Sequence, residues 1–204
     1  AIGGGLAELG WQFPFLLPLM AIPVALAVQF ELCYDQPMRR QPLREYFGAV
    51  WRSLRRRAVA GLFTVSTLTF VLLYGALLTY FPVLMDERFG LSPGRIGLFL
   101  TASSLTTAIV STQLGRLSDR FGEGRLIRMA FGLFAGALAL VPLLPSPWLL
   151  LIPVAAIGLA MGLNMPSLLT LLSGLAPPHH RGAFMALNGT VLRLGQTLGP
   201  LLGG

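Results

Sequence analysis

The chain has 204 residues, 54% hydrophobic and 11% charged, with a formal net charge of +7 and a mean hydropathy of +0.72. A water-facing domain carries about a quarter charged residues, so this composition excludes an ordinary soluble enzyme. The fifteen basic residues are all Arg; they cluster in short segments between apolar runs, where they mark membrane orientation rather than nucleic-acid binding.

Apolar runs of roughly 18 or more residues read as membrane-spanning helices. Residues 1–7 look like the end of one span, and Glu8 to Gln12 form a short loop with Trp11 at an interfacial position. Residues 13–31 form the next span. Its Pro14, Pro18 and Pro23 are tolerated because neighbouring groups re-satisfy the carbonyls that proline frees. The single Cys33 offers neither an internal disulfide nor a metal set. Both ends of the chain lie in apolar sequence, which predicts a piece of a longer protein.

Residues 32–57 form the one long polar connection, with seven Arg between Arg39 and Arg57. Leu43, Tyr46, Phe47, Val50 and Leu54 recur there at helical spacing. That pattern suits an amphipathic helix on the membrane surface and, equally, a solvated linker helix.

Residues 58–85 form a span ending near Pro82, followed by a solvated external turn with Asp86, Glu87, Arg88 and Arg95. Residues 96–114 span next, and an Arg-studded hairpin occupies 115–128. Residues 126–144 span again, Pro145 to Trp148 make a tight turn, and residues 149–173 span back. Gly158 and Gly162 have the small-xxx-small spacing that permits close helix packing. Pro177 to Arg181 form another loop, and the last span begins at Gly182.

The loops alternate in charge. The 32–57 connection, the 115–128 hairpin and the 177–181 loop fall on one face by parity and hold most of the Arg. The opposite loops hold Arg88 and Arg95, offset by Asp86, Glu87 and Glu8. Excess Arg marks the cytoplasmic side, which places the Arg-rich loops in the cytoplasm of a multi-pass protein of the inner (plasma) membrane.

The hairpin holds Gly115, Leu117, Asp119, Arg120, Gly122 and Arg128 in the order Gly-x-Leu-x-Asp-Arg-x-Gly-x-x-x-x-x-Arg, with Arg125 between the last two. This resembles the cytoplasmic signature loop of the major facilitator superfamily of secondary transporters. Gly199-Pro200-Leu201-Leu202-Gly203-Gly204 resembles that family's Gly-Pro-rich helix motif, and Ala1 to Gly5 resemble the tail of a second copy. The resemblance implies an all-α, polytopic membrane bundle, present in part. Residues 1–31 would end the first six-helix half, 32–57 would be the cytoplasmic linker, and 58–204 would form most of the second half. It further implies that Gly115, Asp119, Arg120, Gly122, Arg125 and Arg128 gate the cytoplasmic side, the glycines giving a tight turn, and that Gly199, Pro200 and Gly203 pack helices.

Arg193 is the charge deepest inside a span. Buried intramembrane charge is costly and faces a cavity or a partner, so Arg193 is a candidate for the substrate path; the alternative is that it snorkels to the nearby surface. Asn164, Asn188 and Gln196, with Tyr74 and Tyr80, are further candidates, against interhelical hydrogen bonding or plain packing. Thr64, Ser66 and Thr67 are expected to bond back to their own helix. His179 and His180 lie in a Pro-rich loop without matching Cys, Asp or Glu, which favours a solvated loop over a metal site.

No catalytic motif and no cofactor or metal set emerges, so an enzyme is not expected. The resemblance implies alternating access by two rocking halves, with export of drugs or other amphipathic compounds against protons. Uptake or exchange of a sugar or organic acid on the same fold is the alternative, with Arg193 countering an anionic substrate. A membrane scaffold or embedded enzyme would need a cluster of polar residues at one depth. The spans hold no interior Asp or Glu, so a proton-titrating carboxylate is expected outside this chain.

Overall fold

The structure is a computed structural model that describes residues 12, 21–31, 56–176 and 181–203. Most of the 32–57 connection, the Gly-rich start and the His179–His180 pair lie outside the described residues. Among the described residues every regular element is a helix. Among the described residues four helices are long and apolar enough to cross a membrane: Arg57–Phe89, Pro93–Phe121, Glu123–Leu143 and Pro147–Leu175. The spans expected at 58–85, 96–114 and 149–173 fall inside them, and the one expected at 126–144 does so up to Leu143.

Helix α1 is Ala21–Glu31 and contains Pro23. A continuous rod follows, made of α2 (Arg57–Val71), a π-helical segment (Leu72–Tyr80) and α3 (Phe81–Phe89). In the widened segment the Phe81 N–H reaches the Ala76 carbonyl and Thr79 Oγ1 donates to the Tyr74 carbonyl at 2.7 Å. The rod continues past the expected end at 85, so Asp86 and Glu87 occupy the last turn of a helix rather than an external turn. Gly90, in the left-handed conformation at φ 59°, closes it, its N–H donating to the Asp86 carbonyl. Such a residue satisfies carbonyls that the helix itself cannot.

Helix α4 (Pro93–Phe121) and helix α5 (Glu123–Leu140) replace most of the expected hairpin with helix. The 29 residues of α4 measure about 43 Å at 1.5 Å per residue; a hydrocarbon core is roughly 30 Å thick. The helix therefore runs on into the Arg-rich segment, and Gly115, Asp119 and Arg120 lie within it. The turn shrinks to Gly122 at φ 76° and ψ 146°. Gly115 is ordinary helix with open space around it, so the tight turn expected of both glycines belongs to Gly122 alone. Arg125 and Arg128 lie in the first turns of α5.

After two short 3₁₀ turns, Val141–Leu143 and Pro147–Leu150, helix α6 (Leu151–Leu175) returns, and helix α7 (Arg181–Gly203) follows. Helix α6 is the hub. It packs along α4 and α5, while α7 packs along α2 and the π segment. In lipid the hydrophobic effect does not drive helices together; close packing and interhelical hydrogen bonds do. The glycines provide that closeness. A methyl on Gly158 would collide with the Ser103 carbonyl of α4, and one on Gly162 would lie 2.8 Å from the Thr107 carbonyl oxygen. Thr107 Oγ1 bridges the same interface, 2.9 Å from the Gly158 carbonyl.

Two clusters fill the interior. The larger joins Leu77, Phe81 and Met85 of the rod to Phe99, to Leu126, Ala130 and Phe134 of α5, and to Val154 and Ile157 of α6. The smaller joins Val59 and Phe63 of α2 to Leu172 and Ala176 after α6 and to Phe184 of α7. It gathers the start of α2, the end of α6 and the start of α7, and so puts Arg56, Arg57 and Arg181 at one end of the bundle.

Candidate functional site

A trough runs along α4 where it faces the rod. Its larger part is a cavity of about 710 Å³, walled by Pro82, Val83 and Asp86 on one side and by Ile96, Leu100, Thr101 and Ser104 on the other. A second cavity of about 280 Å³ shares Leu100 and Ser104 with it, adding Leu73, Leu77 and Leu78 of the π segment, Ser103 and Thr107 of α4, and Met161 of α6. The two adjoin along Leu100 and Ser104. Of the trough's described lining residues, Asp86 is the only charged one.

Local sequence explains this wall. The stretch Thr101 to Thr107 is rich in small hydroxyl residues, and in a membrane these satisfy themselves against the preceding turn. Thr101 donates to the Gly97 carbonyl at 2.7 Å and Ser104 to the Leu100 carbonyl at 3.1 Å. Their protons are engaged, so what the wall offers is mild acceptor character on an apolar surface. Such a surface, concave and mostly apolar with few polar groups, is the usual form of a small-molecule site. Sequence reasoning missed these hydroxyls and Asp86; the density of Ser and Thr in one apolar span was the available signal.

The residues singled out from sequence lie elsewhere. Asn164 is fully buried, and its Nδ2 donates to Thr69 Oγ1 of α2 at 2.6 Å. Thr69 spends its own proton on the Val65 carbonyl at 2.8 Å, so it must accept from Asn164, which fixes the orientation of the amide. Asn164 Oδ1, Ser167 Oγ and Asn188 Oδ1 are buried acceptors without a hydrogen-bond partner among the described residues. Tyr80 donates its hydroxyl to the Pro200 carbonyl at 2.5 Å and lines a further cavity of about 160 Å³ that shares Leu77 with the trough. Tyr74 stacks on Phe70 with centroids 5.8 Å apart. Thr64 and Thr67 bond back to Ala60 and Phe63 as expected.

Arg193 bonds Gln196 one turn along its own helix at 2.8 Å, on an exposed surface. The buried Gly195 and Gly199 face α2 and the π segment, and at 100° per residue Arg193 points away from them. It is not among the described lining residues of the trough. Gly203 ends α7.

At the Arg-rich turn, Ser118 donates to Glu123 at 2.6 Å across Gly122. Arg120 lies over the Phe121 ring, Arg116 bonds Gln113, and Arg128 bonds the Gly124 carbonyl. Among the described residues Asp119 pairs with none of these Arg. The glutamate at the first position of α5, not Asp119, sits at the helix N-terminus, where the dipole favours negative charge.

The profile of the Major Facilitator Superfamily matches residues 1–200. Multidrug resistance protein 2 of Bacillus subtilis (strain 168) is 29% identical over 211 aligned positions that cover 99% of this chain and 52% of that protein. Multidrug resistance protein 1 of the same organism is 25% identical, covering 100% of this chain and 52% of that protein. The Na(+), Li(+), K(+)/H(+) antiporter of Planococcus maritimus is 30% identical over 74% of this chain and 35% of that protein. The chain thus spans about half the length of the two multidrug resistance proteins. An all-helical bundle with membrane-length helices and a family match along nearly its whole length leave one assignment: the chain belongs to the Major Facilitator Superfamily of membrane transporters.

Proposed function

We propose that this chain is part of a secondary active transporter that exports amphipathic compounds, cationic or neutral, in exchange for protons. Transport proceeds by alternating access, from the inner membrane, with the Arg-rich turns on the cytoplasmic side. The observation that carries the substrate class is the trough: apolar walls, hydroxyls with engaged protons, and Asp86 as its one charged lining residue. A carboxylate at an apolar groove attracts cations and repels anions. The names of the two multidrug resistance proteins support export of drugs, and the antiporter's name supports ion exchange. An anionic metabolite would need a basic wall, and Arg193, the counter-charge that reading relied on, is engaged with Gln196 on another surface.

Among the residues with described side chains, the acidic ones lie at helix ends: Asp86, Glu87, Asp119 and Glu123. This supports a proton-titrating carboxylate supplied by sequence beyond the chain. The test is transport into proteoliposomes under an imposed pH gradient, with a lipophilic cation, its neutral isostere and an anionic metabolite. The cation should move against its gradient, the anion should not, and Asp86→Asn should lower cation transport several-fold while sparing the neutral compound. Transport of the anion alone would overturn the proposal.

A further inference from the structure

A second pocket lies behind the trough. Leu91, held by the Gly90 turn and 8% exposed, is a wall common to the large trough cavity and to a cavity of about 350 Å³ on its other side. Asp86 lines the first and Arg95 lines the second. Leu91 is the wall common to the cavities that hold the two charges, and among the described residues neither charge is paired. The floor of the second cavity is the buried Phe99; its sides include Leu98, Leu151 and Phe89. Trp148 covers one edge, 65% exposed and stacked on Phe99 at 6.2 Å. Arg88, next in sequence to the lining residue Phe89, lies over that ring at 5.3 Å.

This is an amphipathic pocket at a helix-bundle end. It has an unpaired guanidinium at the rim, an apolar floor, and a Trp of the kind that collects at headgroup depth. The guanidinium fork matches phosphate oxygens in geometry and charge. An unpaired Arg beside an apolar cleft at the membrane boundary is complementary to one class of molecule present at that depth, which joins a phosphate anion to an acyl chain. We infer that the cavity binds an anionic phospholipid, its phosphate on Arg95 and the upper part of one chain on Phe99, Leu98 and Leu151, in the leaflet opposite the Arg-rich turns. The site adjoins the trough across Leu91 and takes a different ligand from the transported compound.

The test uses fluorescence quenching of Trp148 in the purified protein reconstituted into vesicles. Trp11 and Trp51 are replaced by Phe, which leaves Trp148 as the reporter. Brominated phosphatidylglycerol at a low mole fraction in phosphatidylcholine should quench Trp148 more than brominated phosphatidylcholine at the same fraction. The preference should be about fivefold, the scale of one Arg against an anionic lipid surface. Arg95→Gln should abolish it, whereas Glu87→Gln should retain it. Inorganic phosphate and glycerol phosphate, added at millimolar concentration, should not displace the lipid. Equal quenching by both lipids, an unchanged preference in Arg95→Gln, or displacement by free phosphate would each overturn the inference. Matching thermal unfolding of Arg95→Gln and the parent would exclude misfolding as the cause of a lost preference.

Discussion

Gly75 and Gly199 meet backbone against backbone. A methyl on Gly75 would lie 2.7 Å from the Gly199 carbonyl oxygen, and one on Gly199 would lie 2.7 Å from the Gly75 amide nitrogen. Neither neighbour is a movable side chain, so the π segment and α7 can approach only with glycine on both. Gly199→Val should lower thermal stability in detergent by about 1–3 kcal/mol, the usual cost of overpacking. Gly174→Ala, where a methyl meets open space, is the matched control and should unfold at or above the parent temperature.

The Tyr80 hydroxyl on the Pro200 carbonyl ties the same two elements a few residues further along. Tyr80→Phe keeps the ring and removes the bond, so it should cost about 0.5–1.5 kcal/mol. Combined with Gly199→Val the loss should be less than additive, because the first change already parts the two surfaces. A thermal-shift double-mutant cycle reads both quantities.

The Asn164–Thr69 bond joins α6 to α2 in the interior. Thr69→Val leaves the Asn164 amide without its acceptor. The expected destabilisation is about 0.6–1.7 kcal/mol, the range found for polar contacts between membrane helices. Thr64→Val, which loses only a bond to its own helix, should change little. Thermal unfolding of the two variants side by side decides the matter.

Gly122 occupies a backbone region, φ 76° and ψ 146°, close to one that is essentially restricted to glycine. Gly122→Ala should therefore cost about 1–3 kcal/mol. Gly115→Ala, in regular helix with nothing within 4 Å of the added methyl, should be neutral or slightly stabilising. If both variants lost stability equally, the turn would extend back to Gly115. Protease protection around the turn, measured with each variant, is a second readout.

The membrane helices were legible because apolar length is a one-dimensional property, and the span from 149 to 173 needs only counting. Helix ends were not, because a helix does not stop where the apolar run stops. Residues 115–121 hold no proline, and Arg116, Leu117 and Arg120 favour helix and carry it into water. The π segment could not be read, since the apolar run from Leu72 to Tyr80 looks the same at either winding. Gly158 and Gly162 were legible as a packing pair from spacing alone. The trough was not: its walls come from two helices that sequence sets side by side without register, and Asp86 read as part of a solvated turn. For Asn164, interhelical hydrogen bonding was legible as the commoner use of a membrane amide, though not its partner Thr69; the bond from Tyr80 to the Pro200 carbonyl came only from the fold.

The corner at Gly122 has a mechanical consequence. With Phe121 the last residue of α4 and Glu123 the first of α5, no slack separates them, and Ser118 clasps Glu123 across the bend. A tilt of α4 is handed straight to α5, and both are seated on α6. The three helices form one packed unit that meets α2 and α7 mainly through α6, so one wall of the trough belongs to that unit and the other to the rod that α7 grips.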